Sequence, residues 1–416
     1  MNRSDYLATL VTTAPAAPAA AFIKTRWVCM IASLVICVCA GFGYAWSVLQ
    51  TPIAATHGWP DAQVSLAYTI TVVCSTMAPL LFGAVIRRMG TRTCIVVGAV
   101  LFGGGLFCAG FMGAVWQLYF FYGVLSGLGC GFIYPSMMAY VVRLFPEKAG
   151  MASGLGTAAY GSGAILWAPA AVGLTGAFSL SMAFRILGLA FLAVILLGSL
   201  LLREPPQDFR ASLLSGEGGA GGAETGLRRG QMVKTPAFYL MVLVFTCALV
   251  AGVIVISQAS PILQQTLGFT PERAAVFVSV FAACNMAGRF VWGSVSDKLG
   301  IPGTVAIVFL ICIASMAALA VVSGPLPVLV AMGLAASCYG GFASVLTPLT
   351  ARMFGPRYIT ENYGVMYVVF GLASLVGPVL AVRFHAAGGS YAGAFITAAV
   401  LAAVGLVCSR FLKPQV

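Results

Sequence analysis

Arg289 is the basic side chain that the sequence places inside a long apolar stretch, residues 273–296. Its planar guanidinium matches a carboxylate through two parallel hydrogen bonds. The ten Asp and Glu residues fall in polar segments or near the ends of apolar stretches, so none is placed to neutralise it. A cation buried in this way without a counter-ion predicts a site for an anion with one negative charge. The alternative is a structural arginine satisfied by backbone carbonyls or by a water-filled cavity.

Asn285 lies four residues before Arg289, on the same face of a helix. Its amide can orient the guanidinium, bind a hydroxyl or keto oxygen of a ligand, or form a helix–helix hydrogen bond instead. Five tyrosines lie towards the middle of other apolar stretches, where each hydroxyl needs a partner. They are Tyr44, Tyr134, Tyr160, Tyr339 and Tyr367. Each alone can be a packing residue, but together they predict a small cavity with hydroxyl donors around one arginine.

The composition requires a membrane around these residues. Apolar residues are 61% of the 416-residue chain and charged residues 8%, whereas soluble globular proteins average about 25% charged residues. A membrane-spanning helix needs roughly 20 mostly apolar residues, and twelve such stretches are present. These spans one to twelve cover residues 27–50, 63–86, 93–113, 115–142, 150–174, 183–202, 237–260, 273–296, 303–322, 326–351, 362–382 and 391–411. Tyr119 and Tyr122, near the start of span four, are expected at the membrane interface.

A Gly-rich, charged segment separates the first six spans from the last six and is too polar to cross lipid. We therefore expect a cytoplasmic tail at 1–26, an N-terminal six-helix bundle at 27–202, a cytoplasmic linker at 203–236 and a C-terminal six-helix bundle at 237–412. The sequence predicts an all-α membrane protein with 12 transmembrane helices in two six-helix repeats.

The net charge of +12 indicates how the chain is oriented. With both termini cytoplasmic, most of the 22 Lys and Arg residues face the cytoplasm, and only Arg185, Arg273 and Arg383 lie in outside loops. This distribution follows the positive-inside rule. The excess charge therefore faces anionic lipid, and no nucleic acid is expected as a partner. We predict a monomeric, multi-pass protein of the cell (plasma or inner) membrane.

Two loops repeat at a distance of 210 residues. Gly83, Arg87, Arg88 and Gly90 in the first half align with Gly293, Asp297, Lys298 and Gly300 in the second. Glycine allows close helix approach, and the charges can engage neighbouring helix ends and be released again. We interpret these loops as gating elements of a carrier in which one half rocks against the other. Chance coincidence of glycines is the alternative.

The second loop resembles the signature of the major facilitator superfamily between its eighth and ninth helices. The first resembles the counterpart between helices two and three, except that Arg87 stands where the signature usually has Asp. Other stretches resemble the oxalate/formate antiporter branch, which includes bacterial monocarboxylate carriers. They are Asn285–Gly293 with Ser296-Asp297-Lys298, Gly43–Ser47 and Asn362-Tyr363-Gly364. The resemblance covers nearly all of the chain except the tail and linker and implies the major facilitator fold.

The resemblance also implies roles for residues. The substrate arginine of the branch falls on Arg289, and its cavity aromatics fall on the five tyrosines named above. The oxalate carrier has a second cation in span eleven, where this chain has Phe370, and we therefore expect Phe370 among the substrate-binding residues. That difference favours a monocarboxylate over oxalate or another dianion, in agreement with the single unpaired Arg289.

These observations predict a secondary active transporter of a small monocarboxylate such as lactate or pyruvate. The resemblance favours proton-linked symport, although no span contains a carboxylate to carry a proton. A proton would have to use the substrate, a tyrosine, Asp297 or Glu361. The animal monocarboxylate carriers usually have Asp where Asn285 stands. Anion exchange of the oxalate/formate type needs no such group and is the alternative.

Other classes of membrane protein fit the sequence less well. A lipid-modifying enzyme would need a nucleophile–base pair, metal ligands or a nucleotide loop, but the chain has no CxxC, no His–acid cluster and no Gly-rich phosphate loop. No enzymatic activity, metal or cofactor is expected. A sensor or receptor remains an alternative, and a drug exporter would more often carry an intramembrane acid. The expected partners are a small organic anion, protons and the lipid bilayer.

Overall fold

The computed structural model describes residues 17–145, 149–206, 226–355 and 357–415. Within them the regular structure is helical, as the sequence predicts. The helices are α1 Ala17–Ala40, α2 Ser47–His57, α3 Asp61–Met89, α4 Thr91–Ala109, α5 Val115–Leu118, α6 Gly127–Leu144, α7 Ala149–Gly161, α8 Gly163–Ala177, α9 Leu180–Leu201, α10 Arg229–Met232, α11 Pro236–Leu267, α12 Pro271–Val321, α13 Pro325–Phe354, α14 Ile359–Met366, α15 Val368–Gly388 and α16 Ala392–Ser409.

Local sequence accounts for where the helices of the second half begin. Proline occupies the first turn of α11, α12 and α13, where its missing N–H costs no hydrogen bond. Thr235 and Thr270 cap the first two of these helices by accepting from the backbone N–H of Phe238 and Arg273. Proline and the capping threonines therefore mark where these helices begin.

Eleven helical segments of the described residues are long and apolar enough to cross a membrane by length and composition. The fifth predicted span is divided between α7 and α8, and each part is shorter than a full span. Ser162 joins them between two glycines. A Cβ on Gly163 would lie only 2.5 Å from the carbonyl carbon of Gly41, so the bare glycine allows spans one and five to touch along their backbones.

Span one is also interrupted. A 3₁₀ segment, Gly41–Ala45, separates α1 from α2 and carries Tyr44. Such a break in mid-span is tolerated only where other protein surrounds the backbone, and Phe42 and Ala45 beside Tyr44 are buried. The irregular part of span one therefore faces protein rather than lipid.

The repeat predicted from the loops has a counterpart in the backbone. Gly90, between α3 and α4, has φ 74° and ψ 160°. Gly300, which bends α12 into spans eight and nine, has φ 75° and ψ 159°. A positive φ is readily adopted by glycine alone, so both loops need glycine at the same place. Arg88 and Lys298 are exposed, while the side chains at 83–87, including Arg87, and at Asp297 lie outside the described part.

Hydrogen bonds identify the end of the bundle at which the two halves are connected, called the linker end below. Tyr140 Oη donates to the carbonyl of Arg203, and Arg143 forms an ion pair with Glu204 at 3.4 Å. On the other half, the backbone N–H of Leu227 donates to Phe354. Both ends of the described linker are thus attached to neighbouring helices.

Candidate functional site

A cavity lies between the two halves in the middle of the bundle. About 70 Å³ of it is open to the centre of a water molecule, which suits a ligand of a few heavy atoms. The cavity brings together seven of the eight residues predicted to bind substrate. They are Arg289, Tyr44, Tyr134, Tyr160, Tyr339, Tyr367 and Phe370.

Arg289 crosses from the second half of the chain to the first. Its Nη2 donates to Tyr44 Oη at 3.1 Å, and only 8% of the residue is exposed. Its Nε is buried without a partner among the described atoms. A Cβ on Gly161 would approach that Nε to 3.1 Å, so the guanidinium rests against a glycine. The described residues provide the guanidinium with no acidic partner and Nε with no hydrogen bond.

Aromatic rings form the wall around this arginine. Tyr44 meets Tyr160 edge-on, with ring centroids 5.5 Å apart, and Tyr160 lies 4.3 Å from Tyr134. Tyr134 of the first half stacks on Tyr367 of the second at 5.7 Å. Offset and edge-on geometries of this kind are favourable. The ring contacts therefore join both halves around one small volume.

Phe370 closes the wall in the second half. Its ring lies 5.0 Å from that of Tyr367 and 5.9 Å from that of Tyr339, and the residue is 7% exposed. An apolar ring therefore lines the cavity at the position where the resemblance implies a second cation in the oxalate carrier. A second anionic group placed against this ring would lose its hydration without gaining a partner.

Asn285 is separated from the main cavity. It lines a second, smaller cavity with Tyr44 and otherwise apolar side chains, among them Phe281. The residue is 1% exposed, and both amide atoms lack a hydrogen-bond partner among the described residues. Tyr44 lines both cavities, whereas Asn285 lines only the smaller one. In this conformation the amide does not orient the guanidinium.

Several lining residues were missed by sequence reasoning. Tyr68, Thr71 and Ser75 of α3 line the cavity at helical spacing, a polar stripe in span two that the sequence already displays. Tyr363 also lines it, directly after Asn362 in one of the stretches quoted above. These positions add hydroxyl groups to the wall.

Tyr122 corrects an expectation. It was predicted at the membrane interface, but it is 1% exposed, lines the cavity and stacks on Trp46 at 4.5 Å. The reason is a π-helical stretch, Tyr119–Ser126, which changes the angle between successive side chains. Tyr119 fits the prediction better, since its exposed hydroxyl donates to the carbonyl of Gln63.

A buried amide cluster seals the cavity away from the linker end. Gln50 of α2 and Gln258 of α11 donate to each other at 3.1 and 3.0 Å. Gln258 Nε2 also donates to Ser65 Oγ of α3 at 3.0 Å. All three residues are at most 4% exposed. Each lies beyond the cavity-lining part of its helix, on the side opposite the linker, so the two halves are closed there.

Comparison with known proteins identifies relatives over most of the chain. The sequence profile of the Major Facilitator Superfamily matches residues 31–339. The Escherichia coli protein described as the uncharacterized MFS-type transporter YhjX is 27% identical, over 85% of this chain and 86% of its own. The oxalate:formate antiporter of Oxalobacter formigenes is 25% identical over 94% and 93%. Monocarboxylate transporter 1 of Rattus norvegicus is 25% identical over 84% and 77%.

A solved structure with the same fold is a bacterial homologue of the human lysosomal transporter Spinster in an inward-facing, unoccupied conformation. It superimposes with a TM-score of 0.67 at 17% sequence identity, covering 92% of this chain and 95% of that one. At this identity the similarity concerns the fold alone. It agrees with the helical architecture predicted from the twelve apolar stretches.

Proposed function

Because the chain belongs to the Major Facilitator Superfamily and is thus a membrane transporter, we propose that it carries a small monocarboxylate by alternating access. The observation that carries the proposal is Arg289, a buried guanidinium beside the cavity with no acidic partner among the described residues. The relatives of the chain include proteins named for oxalate and formate exchange and for monocarboxylate transport.

In the proposed complex, the substrate carboxylate binds the guanidinium of Arg289. Nε is buried without a partner, and Nη2 donates to the Tyr44 hydroxyl, so a carboxylate that displaces this hydroxyl can accept from both nitrogens in the bidentate manner. The hydroxyls of Tyr134, Tyr160, Tyr339 and Tyr367 hold the hydroxyl or keto oxygen of a lactate-like anion. Asn285 lines a separate cavity, so it joins the site only after the side chains between the two cavities move.

Binding and rocking are linked through Arg289, because this residue belongs to the second half and Tyr44 to the first. A carboxylate that neutralises the guanidinium lowers the cost of keeping it in an apolar cavity while the halves move. With both termini on the cytoplasmic side of the cell membrane, the cluster of Gln50 and Gln258 faces outside. The conformation is then one that is closed to the outside.

The proposed substrate class follows from the number of cations in the cavity wall. One guanidinium pairs with one carboxylate, and Phe370 offers nothing to a second. Lactate and pyruvate carry one negative charge, whereas oxalate carries two. Oxalate/formate-type exchange is the second candidate, favoured by the 25% identical antiporter of Oxalobacter formigenes.

We include proton linkage in the proposal because of the resemblance to monocarboxylate carriers. The proton travels on the bound substrate, on a cavity tyrosine, or through Asp297 or Glu361 near the linker end. A symporter moves substrate faster when the proton gradient points in the same direction, whereas an exchanger responds to the anion on the opposite side. The two mechanisms are therefore separable by experiment.

The test is uptake of labelled lactate, pyruvate, formate and oxalate into proteoliposomes, with and without an inward proton gradient. We expect a monocarboxylate to be taken up faster than oxalate, and the gradient to accelerate it. Protein-free liposomes serve as the control for leakage, and Arg289→Gln protein is measured beside the wild type. Faster uptake of oxalate than of every monocarboxylate would contradict the substrate assignment, and equal uptake by the Arg289→Gln protein would contradict the site.

A further inference from the structure

The end of the linker is fastened to the second half of the bundle through Leu227. Its backbone N–H donates to the carbonyl of Phe354 at 2.8 Å, a carbonyl at the end of α13 that has no partner within its own helix. The carbonyl of Leu227 accepts a hydrogen bond from Asn362 Nδ2 at 2.9 Å. Both backbone groups of one linker residue are thus bound, to span ten on one side and span eleven on the other.

Asn362 supplies this bond from the interior of the protein. The residue is 0% exposed, and an amide buried at that depth costs free energy unless it is hydrogen-bonded. In the first half, the position 210 residues earlier is Ala152, which has no group that can donate. The polar side chain is therefore found in the second half, against which Leu227 lies.

Neighbouring residues hold the same junction. Arg228 Nε donates to Tyr358 Oη at 3.3 Å, and a Cβ on Gly226 would lie 3.0 Å from the Cβ of Arg357. Residues 226–228 therefore cross the turn between α13 and α14 in close contact. Of these contacts, the bond from Asn362 reaches furthest into the bundle.

The helix that carries Asn362 also carries part of the cavity wall. α14 is only eight residues long, and Tyr363, the next residue after Asn362, lines the cavity. Tyr367, directly after the end of α14, stacks on Tyr134 of the other half. α14 continues through the helical Tyr367 into α15 as one span, Glu361–Gly388. The bond from Asn362 to Leu227 therefore holds the first turns of the span that carries Tyr363 and Tyr367.

From this geometry we infer that Asn362 is a positioning residue for transport. It clamps the end of the linker to α14 and so holds Tyr363 and Tyr367 against the substrate cavity. The inference rests on the proposed function, because the tyrosines matter to transport only if the substrate occupies this cavity. The clamp itself can be measured without any substrate.

The first experiment measures the clamp by limited trypsin digestion of the purified full-length protein. Cleavage after Arg228 requires this part of the linker to leave its docked position, and its rate follows the population of the undocked state. Asn362→Ala removes the donor, and Asn362→Asp replaces it with an oxygen that cannot donate to Leu227. We expect cleavage about tenfold faster in both variants, the effect of losing one buried hydrogen bond.

A matched control is Thr350→Val. Thr350 is equally buried near the same end of the bundle, but its hydroxyl donates to Leu346 within its own helix. This variant should be cleaved at Arg228 at the wild-type rate. Equal acceleration by Thr350→Val would overturn the clamp, since the effect would then be general loosening, and so would unchanged cleavage in the Asn362 variants.

The second experiment is transport of the anion that the wild type carries. Loss of the Asn362 bond should displace Tyr363 and Tyr367 and so weaken substrate binding. We therefore expect KM to be several-fold higher in the Asn362 variants, with a smaller decrease in Vmax. A disulfide between Gly226→Cys and Arg357→Cys spans the same junction, since disulfide Cβ atoms lie roughly 3.5–4.5 Å apart. Combined with Asn362→Asp and oxidised, it should restore both slow cleavage and the wild-type KM, whereas the reduced protein should not.

The outcomes separate this inference from the proposed function. Faster cleavage with unchanged KM, or a KM that the closed disulfide fails to restore, would overturn the positioning role while leaving the transporter assignment intact. If the wild type carried none of the tested anions, the proposed function would fail. The trypsin rates of the Asn362 variants would still support or overturn the clamp.

Discussion

The two halves of the protein line the cavity from equivalent positions with different side chains. Residues 210 apart occur in pairs along its wall. The pairs are Tyr134 and Ser344, Thr157 and Tyr367, and Tyr160 and Phe370. The repeated backbone thus determines which positions face the cavity, while the chemistry at each position differs between the halves.

The same contrast appears where the halves touch beside the cavity. Gly161 of span five faces Arg289 of span eight, and its counterpart Gly371 of span eleven faces Thr76 of span two. Each glycine leaves room for a side chain of the opposite half. On one side that side chain is a guanidinium, and on the other it is a hydroxyl. The fold offers two related contacts, and only the first bears a charge for an anion.

Removing the charge should have the largest effect. Arg289→Gln should lower the initial uptake of the monocarboxylate by roughly a hundredfold, since truncating a buried hydrogen-bonded charge costs several kcal/mol. Thr76→Val, at the related contact, should lower uptake only about twofold, the effect of one neutral hydrogen bond. Equal losses in the two variants would show that both contacts are structural. Arg289→Lys should be intermediate, because it keeps the charge and loses the planar fork.

Filling the two glycine contacts should separate binding from movement. A Cβ at position 161 presses on Arg289 Nε, so Gly161→Ala should raise KM by about tenfold, within the range for overpacking. Gly371→Ala presses on the Thr76 hydroxyl at 2.5 Å and should lower Vmax more than it raises KM. Initial rates over a range of substrate concentrations measure both constants, and a KM effect confined to Gly371→Ala would reverse the assignment.

Changing Phe370 should alter selectivity more than overall activity. Phe370→Lys adds a second cation to the wall, so the ratio of oxalate to lactate uptake should rise by about tenfold. Phe370→Tyr, which copies the residue at position 160, should leave that ratio unchanged and serves as the control. Competition between the two labelled anions measures the ratio. An unaltered preference in Phe370→Lys would separate this position from charge selection.

The smallest effects are expected where the halves share the same chemistry. Gln50 and Gln258, 208 residues apart, form a reciprocal pair, but Gln258 also bonds Ser65. Gln258→Leu should therefore open this seal, which faces outside in the proposed orientation, more than Gln50→Leu does, with an effect of roughly two- to fivefold in each variant for the loss of neutral hydrogen bonds. The rate at which an impermeant thiol reagent added outside labels Cys130 in the cavity wall measures the opening. A larger effect of Gln50→Leu would contradict the described hydrogen bonds.

Much of the site was accessible from the sequence because the membrane simplifies the problem. A charged or hydroxyl-bearing side chain in mid-span is costly unless it faces protein or a cavity, so Arg289 and the tyrosines could be placed together before their contacts were known. The helical stripe of Tyr68 and Thr71 follows the same logic. The position of Tyr122 could not be predicted in this way, because a π-helical turn changes the face on which a residue lies and leaves no clear mark in the hydropathy.

The sequence by itself determined the membrane class, the apolar stretches, the loop repeat and the single arginine without an intramembrane acid. These depend on local hydropathy and on the placement of charge. The tertiary structure decided that Tyr44 bonds Arg289 and shares a second cavity with Asn285, that Gln50 meets Gln258, and that Leu227 lies on Asn362. Each of these pairs residues far apart in the chain. Their partners are chosen by how helices pack, which no local pattern of residues specifies.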